Sequence, residues 1–305
     1  MRSLFSYLLA PGARFKFKPT FATAEGLHAG IKKSRQNATH KPPPTFSKTL
    51  DIHEREVNGV KIFDLRPKGL QDAEVKGRMM YLHGGSFVLD IMAEHWNLAK
   101  FFAEKLDVVV SVVLYPLGPE SKIVDTFEKL QPIYEEMAKA GTKEVPFYVM
   151  GDSCGGELAL ALTQLALQDQ KTLASRVVLI SPLMDQSFTN PDMQAMAPSD
   201  PALHLPGIEE ARRLIGPDLD PKTDVRLSPM YGPVEGLPPV LVLAADNDML
   251  SPDEIKWARE ASKKADVTLE IGKGMIHCWP IIDFHEGGAA RQMIADWLTA
   301  PRAKL

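Results

Sequence analysis

The sequence predicts an α/β fold, a mostly parallel sheet with helices packed on both of its faces. Three observations carry this. Short apolar runs rich in β-branched residues alternate with helical stretches from Arg78 onward. One of those runs, Val145–Met150, stops at a glycine and passes through Gly151-Asp152-Ser153-Cys154-Gly155 into a helix. The 305 residues, 45% of them hydrophobic, are enough for a sizeable core.

In chain order, residues 1–45 are predicted to be helical in patches, notably Phe21–Arg35, and to run extended through Lys41-Pro42-Pro43-Pro44. No sheet strand is evident there. Thr49–Val57 and Val60–Leu65, joined by Asn58-Gly59, read as an antiparallel hairpin. A strand at Arg78–Leu82 ends in His83-Gly84-Gly85-Ser86, then come a helix at His95–Lys105, a strand at Val108–Val113 and a helix at Lys122–Ala140. After Val145–Met150 and its helix, Arg176–Ile180 is the next strand. Residues 185–235 break the rhythm with polar residues, prolines and one helix at Gly207–Leu214. Pro238–Ala244 resumes as a strand, followed by a helix with Ser251 at its N-cap and Pro252 at N1. A strand at Val267–Ile271 and a helix at Ala289–Leu298 close the pattern. The expected division is therefore a core of 49–184 and 236–305, with 185–235 as an insertion over the sheet's C-terminal edge.

Composition excludes several classes. A net charge of −4 with dispersed basic residues argues against a nucleic-acid partner. The apolar patch at Met1–Ala10 is interrupted by Pro11-Gly12, too early for a secretory or membrane-spanning segment, so no stable membrane insertion is expected. Two cysteines give no disulfide framework, and a soluble, cytoplasmic location is the expectation.

The chemistry begins at Ser153. In G-x-S-x-G the serine occupies a tight strand-to-helix turn, and side chains in place of Gly151 or Gly155 would meet the neighbouring strand and helix. The motif alone is weak; it gains weight from a base, an acid and an oxyanion loop in the right order. His277, directly after the last strand, is the best-placed base. The acid belongs after the preceding strand, where Asp248 is preferred and Asp246 is the alternative. Upstream, the N–H groups of Gly84 and Gly85, with that of Cys154, can face an oxyanion. Asp152 is read as a tie for the elbow rather than an acid. No metal-ligand pattern or cofactor motif stands beside these residues.

His83-Gly84-Gly85, Tyr115-Pro116-Leu117-Gly118-Pro119-Glu120, Gly151-Asp152-Ser153-Cys154-Gly155-Gly156, Asp248-Met249-Leu250 and Gly274-Met275-Ile276-His277 together resemble the successive motifs of the hormone-sensitive-lipase-like branch of α/β-hydrolase esterases. The resemblance covers about Arg78 to the C-terminus. It implies an eight-stranded sheet, a helical cap built from residues 1–48 and the insertion, hydrolysis of small-molecule carboxylic esters, and no cofactor. It favours Asp248 over Asp246 and gives His83 the role of supporting the oxyanion loop; a homodimer is left open. The chain departs from the pattern at Ser86, where a third glycine is usual, at Cys154, where alanine is usual, and at Pro116, where arginine is more frequent.

Substrate preference is less legible. Met184, Met193, Met196 and Met230 can form an adaptable wall for short or medium acyl chains, although methionines in such a place are more often plain packing. Cys154 and Cys278 adjoin two of the site residues; a redox pair is one reading and buried packing the plainer one. A non-catalytic small-molecule receptor or an amide hydrolase are the competing classes on the same fold.

Overall fold

The computed structural model describes residues 6–38 and 40–301, so the first five residues of the 1–48 segment, Thr39, and the last four of the core lie outside the described residues. β1 (Leu50–Val57) and β2 (Val60–Pro67) form the hairpin, with Asn58 and Gly59 both at positive φ as a two-residue turn of matching twist requires. β2 pairs antiparallel with β4 (Val109–Leu114). From there the sheet is parallel through β3 (Arg78–Leu82), β5 (Phe147–Asp152), β6 (Arg176–Ile180), β7 (Val240–Asn247) and β8 (Val267–Ile276).

The strand order is β1-β2-β4-β3-β5-β6-β7-β8. The chain leaves β3 toward one side to make β4, then crosses back to make β5 on the other side. The loops at the carboxyl ends of β3 and β5 therefore diverge and leave a crevice between them. His83-Gly84-Gly85 stands on one side of it and Ser153 on the other.

Both faces of the central strands β3 to β7 are covered, which is why these read as near-continuous apolar runs. Met80, Leu82, Val149, Val177, Leu179 and Val242 face a core shared with α5 (Ile123–Ala140), α6 (Cys154–Gln168) and α9 (Ser251–Ala261). Their neighbours Met79, Tyr81, Met150, Val178, Ile180 and Leu243 face a second core with α4 (Ala93–Leu106) and α10 (His285–Thr299). Before the sheet come α1 (Ser6–Lys16), α2 (Lys18–Phe21) and α3 (Ala24–Asn37); the stretch between β6 and β7 carries α7 (Pro191–Met196) and α8 (Leu205–Ile215). α2 and α3 pack on α8, closely enough that a Cβ on Gly207 would lie 2.5 Å from the Phe21 Cα. Among the described residues, no helix is long and apolar enough to cross a membrane.

Several boundaries differ from the sequence expectation. α1 runs through Pro11 rather than breaking there, supported by contacts with α2 and β8. Pro44 opens a short 3-10 turn to Lys48, so only part of the proline run is extended. Ser251 is the first residue of α9 and not its cap; Leu250 holds that position, and Pro252 lies within the first turn. β8 continues to Ile276 because pairing with β7 resumes at Asn247 after an irregularity.

Candidate active site

The elbow is built from backbone first. Ser153 sits between β5 and α6 with φ 54° and ψ −124°, a conformation that costs a non-glycine residue roughly 1–3 kcal/mol and persists only where surroundings impose it. Its N–H donates to the Ile180 carbonyl at 2.8 Å, and its carbonyl accepts from the N–H groups of Gly156, Glu157 and Leu183. The two motif glycines are required sterically: a Cβ on Gly151 would lie 2.0 Å from the Gly155 carbonyl oxygen, and one on Gly155 2.0 Å from that of Leu82.

Ser153 Oγ lies 2.9 Å from His277 Nε2, and His277 Nδ1 lies 2.7 Å from Asp248 Oδ2. Asp248, fully buried, also accepts the Leu250 N–H on Oδ1 at 3.0 Å, which fixes its rotamer. Asp246 is exposed and accepts the Gly274 N–H, so it braces the β7–β8 region away from the imidazole. Burial opposes a charge on His277, but the Asp248 carboxylate, with Asp200 and Asp152 further off, outweighs it and holds the imidazole above its ordinary range.

The loop after β3 faces this group across the crevice. Burial, then the neighbouring His95, lower the His83 pKa to about 4, so the ring is neutral at pH 7. Its Nδ1–H donates to the Gly84 carbonyl at 2.7 Å, and the ring stacks on Tyr115 with centroids 4.6 Å apart. Tyr115 donates its hydroxyl proton to the His83 carbonyl at 2.6 Å. Gly84 is pressed against the elbow, and Gly85 has φ 126°, a region open to glycine. Among the described residues, no acceptor takes the N–H of Gly84, Gly85 or Cys154.

The departures from the family pattern have local consequences. Cys154 Sγ accepts the Phe87 N–H at 3.2 Å, so the thiol ties the loop to α6. Cys278 Sγ lies instead by the Ile180 carbonyl, at 3.9 Å, and both thiols are free and buried. Burial pushes the Cys154 thiol up to about 12 and holds the Cys278 thiol well above its ordinary range too. Arg35 of α3 reaches the Gly118 carbonyl at 2.9 Å and Glu120 at 3.2 Å, bringing a guanidinium to the segment where position 116 is proline.

Tyr81 and His95, unremarkable in the sequence, complete the setting. Asp152 accepts the Tyr81 hydroxyl on Oδ1 at 2.6 Å, and Oδ2 lies 3.3 Å from His95 Nε2. His95 Nδ1 accepts the Met92 N–H, which places its proton on Nε2, toward Asp152. Burial disfavours the Asp152 charge, but His95 and Tyr81 outweigh it and lower its pKa. Neither partner lies in a motif; each is a single residue in a strand or helix, brought in by the fold.

The cavity at Ser153 and His277 measures about 380 Å³ and is walled by Phe17, Phe21, Leu89, Met92, Leu203 and Ile282. Lys16 and Glu94, also in its wall, form an ion pair at 2.8 Å. Among the described residues, no group of three or more His, Cys, Asp or Glu side chains is arranged to hold a metal ion. A hydroxyl hydrogen-bonded to a carboxylate-backed imidazole, facing free amides in an apolar cavity, is equipped for acyl transfer.

Comparison with known proteins places this geometry. A family described as having the alpha/beta hydrolase fold matches residues 79–281. An esterase of Acinetobacter venetianus is 28% identical over 252 residues, covering 79% of this chain and 82% of that protein. An ethyl acetate hydrolase of Pseudomonas putida is 27% identical over 241 residues, covering 77% and 76%. A crystal structure of an esterase/lipase from an uncultured bacterium superposes with a TM-score of 0.81 at 25% identity, covering 97% of this chain and 98% of the other. The chain belongs to this family of the α/β-hydrolase fold. It is a carboxylic-ester hydrolase.

Proposed function

We propose that the enzyme hydrolyses short- to medium-chain acyl esters through an acyl-enzyme on Ser153. The observation that carries this is the unbroken relay from Ser153 Oγ through His277 to Asp248, at 2.9 and 2.7 Å, opening into the apolar cavity. His277 takes the Ser153 proton as Oγ attacks the ester carbonyl, and Asp248 stabilises the imidazolium. The N–H groups of Gly84, Gly85 and Cys154 receive the oxyanion; the loop that carries the first two is held by His83. His277 then protonates the leaving alcohol, and water repeats the cycle on the acyl-enzyme. Helices α1–α3 and the insertion act as a cap, supplying Phe17, Phe21 and Leu203 to the cavity wall.

The acyl range follows from size. The cavity is near the small end of ligand pockets, which run about 300–1,000 Å³. Each acyl methylene seated against its wall gains up to about 0.8 kcal/mol, roughly fourfold in kcat/KM, until the cavity is filled. The relative named an ethyl acetate hydrolase agrees with a small ester. p-Nitrophenyl esters from acetate to palmitate test the range: kcat/KM rises over the first members and then falls. A maximum at palmitate would overturn the short-to-medium assignment.

A further inference from the structure

Asp200 lies in the stretch between β6 and β7, 48 residues before Asp248, yet its carboxylate reaches the acid loop. It is 2% exposed. Oδ2 accepts the N–H of Met249, the residue after Asp248, at 2.7 Å. Oδ1 accepts the N–H groups of Ala202 and Leu203 at 2.7 and 2.8 Å. The same short segment is gripped from the N-terminal helices: Lys18 Nζ donates to the Asp200 carbonyl at 3.0 Å, and Arg14 to that of Ser199 at 3.1 Å. Ala202 and Leu203 then line the cavity at Ser153. One loop thus joins the N-terminal helices, the substrate wall and the backbone next to Asp248.

The electrostatics follow from the same placement. When the Ser153 proton moves to His277, a cation forms in a buried site where charges interact strongly. Asp248 faces it directly; Asp200 and Asp152 act from further away. Asp152 is already engaged by Tyr81 and His95. Glu254, also near Asp248, is fully buried with no partner for either oxygen among the described residues, and burial followed by Asp248 raises its pKa, which favours the neutral acid. Burial and Asp248 raise the pKa of Asp200 as well, but its three N–H donors favour the carboxylate.

We propose that Asp200 is a positioning residue for ester hydrolysis: it clamps the Asp248–Met249 loop from the insertion and sets a second negative charge behind the Asp248–His277 pair, so that the seating of residues 198–203 governs the basicity of His277. The proposal rests on Ser153, His277 and Asp248 acting as described above. It gives the cap a chemical link to the triad, separate from its contact with substrate.

The test is the pH dependence of kcat/KM for p-nitrophenyl butyrate, on the full chain and on Asp200→Asn, Asp200→Ser and Asp200→Glu. Loss of the charge moves the acid limb to lower pH by about 0.5–1 unit, with kcat reduced. Asp200→Glu, which keeps the carboxylate, restores the limb toward its wild-type position. Asp200→Ser keeps a short acceptor for the local turn, so it serves if Asp200→Asn does not fold. An unmoved limb in either folded neutral variant overturns the proposal, whatever the loss in kcat, because a purely structural strut would leave it there. Ser153→Ala run alongside separates the two readings: full turnover there defeats the triad, whereas serine-dependent turnover with an unmoved limb defeats only the role of Asp200.

Discussion

Gly84 offers a stringent test of the oxyanion geometry. Replacing it with alanine puts a Cβ 2.4 Å from Asp152 Oδ2 and 3.1 Å from both the Asp152 carbonyl oxygen and Ser153 Cβ. The carboxylate cannot swing aside, because Tyr81 holds Oδ1 at 2.6 Å and His95 sits 3.3 Å from Oδ2. The loop must yield by at least about 0.6 Å to bring the closest contact to 3.0 Å, moving its amides away from the serine. One oxyanion donor lost or misaligned costs about 2.7–4 kcal/mol, or 10²–10³ in kcat. The expected result with p-nitrophenyl butyrate is that loss in kcat with little change in KM, since the interaction belongs to the transition state. Circular dichroism and Tm establish that the variant is folded. A folded Gly84→Ala with kcat within about fivefold of wild type would refute the placement of the oxyanion at this loop.

Further expectations concern charge and strain. Because His277 must be neutral to take a proton and its pKa is raised, kcat/KM rises with pH through a limb above the ordinary histidine value of about 6.5. Asp248→Asn, which removes the carboxylate and disturbs the ring tautomer, lowers kcat by about 10³–10⁴ in steady-state assays. Ser86 is held at φ 52°, so Ser86→Gly relieves roughly 1 kcal/mol of strain and raises Tm by about 1–2 °C, read by calorimetry. The folded-state pKa of Glu254 is raised, so the folded chain keeps a proton that the unfolded chain releases; stability falls as pH climbs from the unfolded toward the folded value. Glu254→Met removes that loss, and its Tm gain over wild type grows across this pH window. Cys154 and Cys278, buried with separate partners, react with a thiol reagent only on unfolding, and reductant leaves activity unchanged.

The elements that could be read from the sequence were those whose cause is local. Gly151 and Gly155 stand where any side chain would collide, and that collision is a property of the turn itself. Asn58-Gly59 announces its hairpin through the positive φ both residues adopt. His277 could be placed because it directly follows a strand. Asp200, Tyr81 and His95 could not, since their partners are 49, 71 and 57 positions away and each is a single polar residue without a motif. The same holds for boundaries: β8 gains its last residues from pairing with β7, and α1 passes through Pro11 with support from α2 and β8. Local propensity yields where tertiary contacts supply more.

The most direct test of the central claim compares wild type and Ser153→Ala on p-nitrophenyl butyrate, with mass spectrometry after exposure to an organophosphate. Wild type turns over the ester and gains one phosphoryl adduct on Ser153; the folded alanine variant loses turnover to near background and takes no adduct. Retained turnover in the folded variant, or an adduct on another residue of the active wild type, would contradict the assignment of Ser153 as nucleophile.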